Sequence, residues 1–411
     1  MNERPRLTKN GTVTTPKGFL ANGLSCGIKK SGKPDLGLIY SVVPTTSSGA
    51  FTTNKFPASP VTLSMDHLRG GFVQGVIVNS GNANCANGKR GDRDAKLMAE
   101  SAARSLGVGA EAILVASTGI IGVPLPIQNI VNKVPKLVEG MNRKNGRAFS
   151  QSIMTTDTVK KESCIEVKLK EITGLIGGAC KGAGMICPTM KLSGHATMLA
   201  FLTTDISISK RLLDKALFEA VRQSFNMISV DGDMSTNDSV FILSNGLAGN
   251  PKIIEEGRAF SAFKAGLDHV TRELAKKIVL DAEGATKMVE IRARGCGSYE
   301  DARRMVRSLS NSMLLKTCLY GEDPNWGRVV SACGASGVDI NKNTLEISIG
   351  PVKVVAAGGK AKGVSPRKLK SIFTKSRITI TIDVKSGVLE ATGWMCDLSK
   401  KYVDINAGYT V

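Results

Sequence analysis

Histidine is nearly missing from this 411-residue chain, which has only His67, His195 and His269. His269 falls inside a helical pattern and His67 in a short polar turn. Neither neighbours a nucleophile motif, so both read as structural, and little supports a Ser-His-Asp machine. Metal chemistry has less support still, because His, Cys and carboxylates never gather at ligand spacing. Aromatics make up 5% of the residues, leaving few rings to stack nucleic-acid bases. The nine cysteines contain no C-x-x-C pair, which excludes the common zinc and dithiol motifs and suggests buried, reduced thiols. No run approaches the roughly 20 apolar residues of a membrane helix. Met1 to Leu24 carries several charges and no apolar segment of the signal-peptide kind. The expectation is a cytoplasmic enzyme with no membrane or nucleic-acid partner.

What is present is a 42% hydrophobic chain with 44 glycines, enough for one large or two medium cores with tight turns. The net charge of +20 is spread along the chain rather than gathered in a tract. Arg303, Arg304 and Arg307 fall at helical spacing on what reads as one solvated face. Such a surface suits small anionic substrates.

Gly75 to Ser80 reads as an apolar strand, and Asp92 to Leu106 as a helix stopped by Gly107. Ile113 to Ser117 is a further strand ending at Thr118-Gly119, and Thr173 to Pro188 reads as short Gly- and Cys-rich elements. Helical patterns cover 210–224, 258–280 and 301–315. Leu345 to Ala356 and Arg377 to Val384 read as strands, the second with period-two alternation. There is no internal repeat. Helices and strands mix without a clean βαβ rhythm, which points to an α+β fold of layered sheets and helices.

An enzyme short of histidine needs another base. One solution is an N-terminal Thr, whose own α-amine, with a pKa of about 8 in solution, takes the hydroxyl proton. Such a Thr must be cut out of a precursor, by attack of its hydroxyl on the preceding carbonyl and hydrolysis of the resulting ester. His195-Ala196-Thr197 has the required form, a small residue before Thr, with Met198 to Leu202 reading as a buried strand behind it. Upstream, Lys181 to Ile186 reads as a flexible Gly-containing loop carrying a cation. Alone, an Ala-Thr pair before an apolar run is common, and an ordinary strand entry is the simpler reading.

A wider set of segments alters that balance. They are Gly27-Ile-Lys-Lys-Ser-Gly32, Val78-Asn-Ser-Gly-Asn-Ala-Asn84, Ala116-Ser-Thr-Gly-Ile-Ile-Gly122 and Met154-Thr-Thr-Asp-Thr158. They continue with Lys181-Gly-Ala-Gly-Met185, Ala196-Thr-Met-Leu-Ala-Phe201, Val230-Asp-Gly-Asp233 and Ser235-Thr-Asn-Asp238. Glu283-Gly-Ala-Thr-Lys287, Gly321-Glu-Asp-Pro-Asn-Trp-Gly-Arg328 and Tyr402-Val-Asp-Ile-Asn406 complete the series. From about Pro16 to the C-terminus the chain resembles the ornithine acetyltransferase, or glutamate N-acetyltransferase, family of arginine biosynthesis.

The resemblance implies that Thr197 is the nucleophile, both for cutting the Ala196–Thr197 bond and for accepting an acetyl group. It implies that Thr118 and Gly119 form the oxyanion hole, where loss of one donor typically costs about 3 to 4 kcal/mol of barrier. Lys181 and Glu283 then suit an amino-acid substrate, one meeting its carboxylate and the other an ammonium. Thr155 and Asn406 supply neutral hydrogen bonds. The implied reaction is ping-pong, without metal or cofactor. N-acetylornithine acetylates Thr197, and glutamate removes the acetyl group. Acetyl-CoA serves as a donor in some members.

The implied products of cutting are residues 1–196 and 197–411, assembled as an oligomer of the pair. Two departures stand out. Lys191-Leu-Ser-Gly-His195 intervenes just before the bond to be cut, and Val411 occupies a place where related sequences carry a hydroxyl residue, with Thr410 beside it. Two rival readings share these features: an amidase or aminopeptidase using a Thr nucleophile, and an uncut, inactive homologue.

Overall fold

The computed structural model describes residues 6–192 and 198–408. Two compact units are formed, one from Met1–Gly182, Pro188–Arg222 and Met234–Leu274, the other from Ala183–Cys187, Gln223–Asp233 and Ala275–Val411. Both combine a mixed sheet with helices, an α+β architecture as the sequence indicates.

The sheet of the first unit runs Arg6–Leu7, Lys161–Leu169, Ile172–Lys181, Leu199–Thr204, Ser239–Ser244, Leu36–Thr53, Val73–Asn82, Ile113–Ile120. Phe19–Leu24 and Met190–Lys191 pair with opposite halves of the long strand Leu36–Thr53. Side chains alternate along each strand, so consecutive apolar residues serve two different cores. In Val73–Asn82, Val76 and Val78 join Phe19, Phe149, Phe201 and Phe241 on one face. Ile77 joins Met98, Ile130 and Val134 on the other. Burial on both faces explains why Gly75 to Ser80 reads as an unbroken apolar run rather than an alternating one.

The βαβ rhythm that the sequence hides is nonetheless there. Val73–Asn82 and Ile113–Ile120 are parallel, with the helix Gly88–Leu106 between them in the chain. Leu199–Thr204 and Ser239–Ser244 are parallel around Lys210–Arg222. Antiparallel neighbours on either side mask the pattern. Gly107 ends its helix as expected, at φ 72° with its amide returned to the Ala103 carbonyl.

Several local expectations need correction. Thr173 to Cys180 belongs to one strand, Ile172–Lys181, so Lys181 closes a strand rather than riding on a loop. Its glycines are demanded by packing: a Cβ on Gly177 would lie 2.3 Å from the Thr12 carbonyl oxygen, and one on Gly178 would lie 2.7 Å from Leu202. His67 lies in the helix Ser59–Arg69, its Nδ1 2.8 Å from the Ile113 carbonyl.

In the second unit the sheet order is Ile228–Ser229, Leu389–Cys396, Met288–Cys296, Arg377–Asp383, Glu346–Ile349, Val352–Ala356, Gly359–Lys360. The stretch read as one helix over 301–315 is two, Tyr299–Ser310 and Met313–Tyr320, because Ser312 caps a fresh start through the Leu315 amide. The stretch read as one strand over 345–356 is a hairpin turning at Gly350, φ 53°. The three arginines do not share one solvated face. Arg303 and Arg304 bind Glu300 and Asp301, while Arg307 reaches the Cys187 sulfur at 3.0 Å. All nine cysteines are buried. Among the described residues no helix is long and apolar enough to cross a membrane.

Replacing Gly177 by Ala should cost about 1 to 3 kcal/mol of stability through overpacking. The same change at Gly257, where a Cβ meets nothing within 4 Å, should stay within about 0.5 kcal/mol. Urea unfolding of the two variants checks the contrast; equal midpoints would refute the packing argument.

Candidate active site

Thr118 and Gly119 stand at the end of the strand Ile113–Ile120, where pairing with Val73–Asn82 slips at Gly81 and Asn82. Gly119 has φ 135°, and a Cβ there would sit 2.3 Å from the Gly81 carbonyl carbon. Only glycine allows this approach. Amides and hydroxyls lock the surrounding backbone. Asn237 Nδ2 donates to the carbonyls of Ala83 at 2.6 Å and Ser117 at 2.9 Å. Ser117 Oγ donates to Asn79 Oδ1 at 2.6 Å, and Asn79 Nδ2 donates to the Asn82 carbonyl at 2.8 Å. The Val78 to Asn84 segment is therefore scaffolding for the strand end that carries Thr118.

Lys181 is buried and donates from Nζ to Thr118 Oγ1 at 3.0 Å. A hydroxyl that accepts from an ammonium keeps its own O–H to donate elsewhere. Thr118 is thus set up as a donor polarised by a neighbouring positive charge, which is the property an oxyanion site requires.

A carboxylate absent from the sequence-based candidates organises this region. Asp157 Oδ1 accepts from Lys161 Nζ at 2.6 Å, with both side chains fully buried. The same oxygen accepts the Gly182 amide at 2.8 Å, and Oδ2 accepts the Thr155 amide at 2.9 Å. Burial pushes this carboxyl up, but the charges of Lys181 and Lys161 and the hydrogen bonds prevail and hold it at about 2. Asp157 thereby fixes the backbones of Thr155 and of Gly182, the residue after Lys181. Its signal in the sequence is only its place within Met154-Thr-Thr-Asp-Thr158. Nearby, Lys29 Nζ donates to the carbonyls of Pro34 at 2.8 Å and Met154 at 2.6 Å. Burial lowers it to about 8, against the pull of Asp35.

In the second unit, Glu283 and Asn406 come together, with Asn406 Nδ2 2.9 Å from Glu283 Oε2. The backbone around Glu283 is fixed at both ends. Its amide donates to the Ala183 carbonyl at 2.9 Å, and Asp397 accepts the amides of Thr286 at 2.9 Å and Lys287 at 3.0 Å. Asn406 rides on the helix Lys400–Ala407, whose cap Ser399 also donates to the Gly284 carbonyl at 2.6 Å. Ala196, Thr197, Thr410 and Val411 lie outside the described residues.

The ArgJ family model matches residues 20–411. Arginine biosynthesis bifunctional protein ArgJ of Dehalococcoides mccartyi is 43% identical over 408 residues, 98% of this chain and 98% of that protein. This chain belongs to the ArgJ family. The ArgJ protein of Symbiobacterium thermophilum is 41% identical over 401 residues, 97% of this chain and 98% of its own length. Among solved structures, ornithine acetyltransferase complexed with ornithine from Mycobacterium tuberculosis matches at 36% identity and a TM-score of 0.44, over 46% of this chain and 100% of that chain. The family expectation raised by the sequence motifs is met, and so is the arginine-biosynthesis assignment.

Replacing Asp157 by Asn leaves Lys161 buried without its carboxylate, an expected loss of about 3 to 5 kcal/mol. Because the folded carboxyl sits at about 2, below its unfolded value, its contribution is complete above about pH 4 and fades as pH falls towards 2. Urea midpoints of wild type and variant should therefore differ by a constant amount from pH 7 to 5, and converge only below pH 4. A gap that already changes between pH 7 and 5 would contradict the assignment.

Proposed function

We propose that this ArgJ-family enzyme transfers acetyl from N-acetylornithine to glutamate through an acetyl-Thr197 intermediate. The observation that carries the reading is the buried Thr118 hydroxyl, beside Gly119 and held by the Lys181 ammonium at 3.0 Å. Donors pre-set on rigid backbone act where charge develops and need no reorganisation during reaction. Thr118 and Gly119 serve the oxyanion of the tetrahedral intermediate. Lys181 and Glu283 suit the substrate's charged groups, one meeting a carboxylate and the other an ammonium. Thr155 and Asn406 fix orientation by neutral hydrogen bonds, and Thr410 or Val411 adds a lesser contact.

In the first half-reaction Thr197 Oγ attacks the acetyl carbonyl, its proton passing to the α-amine of the same residue. The C–N bond then breaks, the proton goes to the leaving nitrogen, and ornithine departs. In the second half-reaction the glutamate amine attacks the ester, and Thr197 Oγ leaves with a proton. No cofactor enters either step. Acetyl-CoA, with a thioester carbonyl, fits the same acyl-accepting step. The chain matures by cutting at Ala196–Thr197 into 1–196 and 197–411, which assemble as an oligomer of the pair in the cytoplasm.

Incubation with N-acetylornithine should yield N-acetylglutamate only when glutamate is supplied, with parallel double-reciprocal plots. Free acetate with and without glutamate would instead mean hydrolysis and sink the transferase reading. On a denaturing gel, wild type should show two bands and Thr197→Ala a single band of 43.5 kDa, with activity lost. Thr118→Val should cut normally and lose about 10²- to 10³-fold in kcat.

A further inference from the structure

The strand Ile172–Lys181 is followed by a segment, Ala183–Cys187, that belongs to the second unit. One residue of this segment, Met185, has a left-handed backbone, φ 56°, which a non-glycine residue adopts only when its surroundings enforce it. The enforcing group is Asp231. Its Oδ2 accepts the Met185 amide at 2.5 Å and its Oδ1 accepts the Ile186 amide at 2.9 Å. Two consecutive amides on one carboxylate hold the turn through charge-assisted hydrogen bonds. The Val230 amide closes the other side on the Ile186 carbonyl at 2.7 Å.

The turn is shaped for Glu283. Gly184 lies against its carboxylate so closely that a Cβ there would come within 2.4 Å of Glu283 Oε2. Ala183 takes the Glu283 amide at 2.9 Å. Asp231 also accepts from the Tyr402 hydroxyl at 3.2 Å, and Tyr402 lies one helical turn before Asn406, whose side chain holds Glu283 Oε2. One carboxylate therefore bears on Glu283 from two directions, through the Gly184 turn and through the C-terminal helix.

We propose that Asp231 is a positioning residue for amine recognition, setting the carboxylate of Glu283 by clamping the 184–186 turn and anchoring the helix of Asn406. This rests on the reading above that Glu283 meets the ammonium of the substrate. Asp231 itself is spent on three backbone amides, those of Met185, Ile186 and Asp233, and a phenol, and acts through Glu283.

The test is a double-mutant cycle in N-acetylornithine kinetics, with hydrogen exchange of the Met185 and Ile186 amides read on the same proteins. Asp231→Asn should raise KM for N-acetylornithine about tenfold, with kcat within about twofold, and speed exchange at both amides. Added to Glu283→Gln, it should raise KM no further, because the two act as one unit. An additive rise in KM, or an unchanged KM in Asp231→Asn while Glu283→Gln shows a rise, would overturn the proposal. Should Glu283→Gln itself leave KM unchanged, the amine-site reading of Glu283 fails, and exchange then decides the clamp separately. Amides as protected in Asp231→Asn as in wild type would overturn it, and faster exchange confined to 185–186 would uphold it.

Discussion

Two lysines are buried in the first unit close to one carboxylate, and the chemistry of that region depends on how Asp157 balances them. An ammonium removed from water costs several kcal/mol unless charge and hydrogen bonds are returned to it. Asp157 meets Lys161 directly, and its field also reaches Lys181. Within that field Lys181 donates to Thr118. The same carboxylate takes the amides of Thr155 and Gly182, so charge balance and backbone placement are one arrangement. Desolvation alone would drive the carboxyl towards its neutral form, which would forfeit both.

The second unit solves a parallel problem without buried lysines at the clamp. Asp231 is satisfied by amides and a phenol rather than by a cation. Hydrogen bonds of this kind place the backbone without bringing a rival positive charge near Glu283. Asp157 holds Gly182 in the first unit, and Asp231 holds Met185 and Ile186 in the second. These backbone positions are set by side chains elsewhere in the sequence, which is why the local glycines alone suggest a loose loop.

Much of the fold was legible because periodicity reports burial. The strands near 75–80, 113–117 and 377–384 and the helices near 210–224 and 258–280 follow from apolar spacing, and Gly107 marks a real helix end. The βαβ units were not legible, because strand partners are set by tertiary pairing that a run of valines and isoleucines does not specify. Ser312 restarts a helix inside an unbroken helical pattern, where a local cap overrides periodicity. Among the candidate residues of the two units, Thr118, Gly119, Lys181, Glu283 and Asn406 were reached through motif resemblance, whereas Asp157, Asn237 and Asp231 were not singled out. Their roles consist of bonds to amides and carbonyls from distant segments, which leave no spacing rule in the chain.

The strand Leu199–Thr204 has a neighbour on each side, Ile172–Lys181 and Ser239–Ser244, and beyond Ser239–Ser244 lies Leu36–Thr53. A break in the chain just before residue 198 would thus put two central strands of one polypeptide between two strands of the other. Six-residue ladders seal both outer seams. The products of such a break would be topologically interleaved pieces of one core rather than separable subunits. Neither half could complete the first unit's sheet without its counterpart, and covalent continuity during synthesis would act as the template for assembling it.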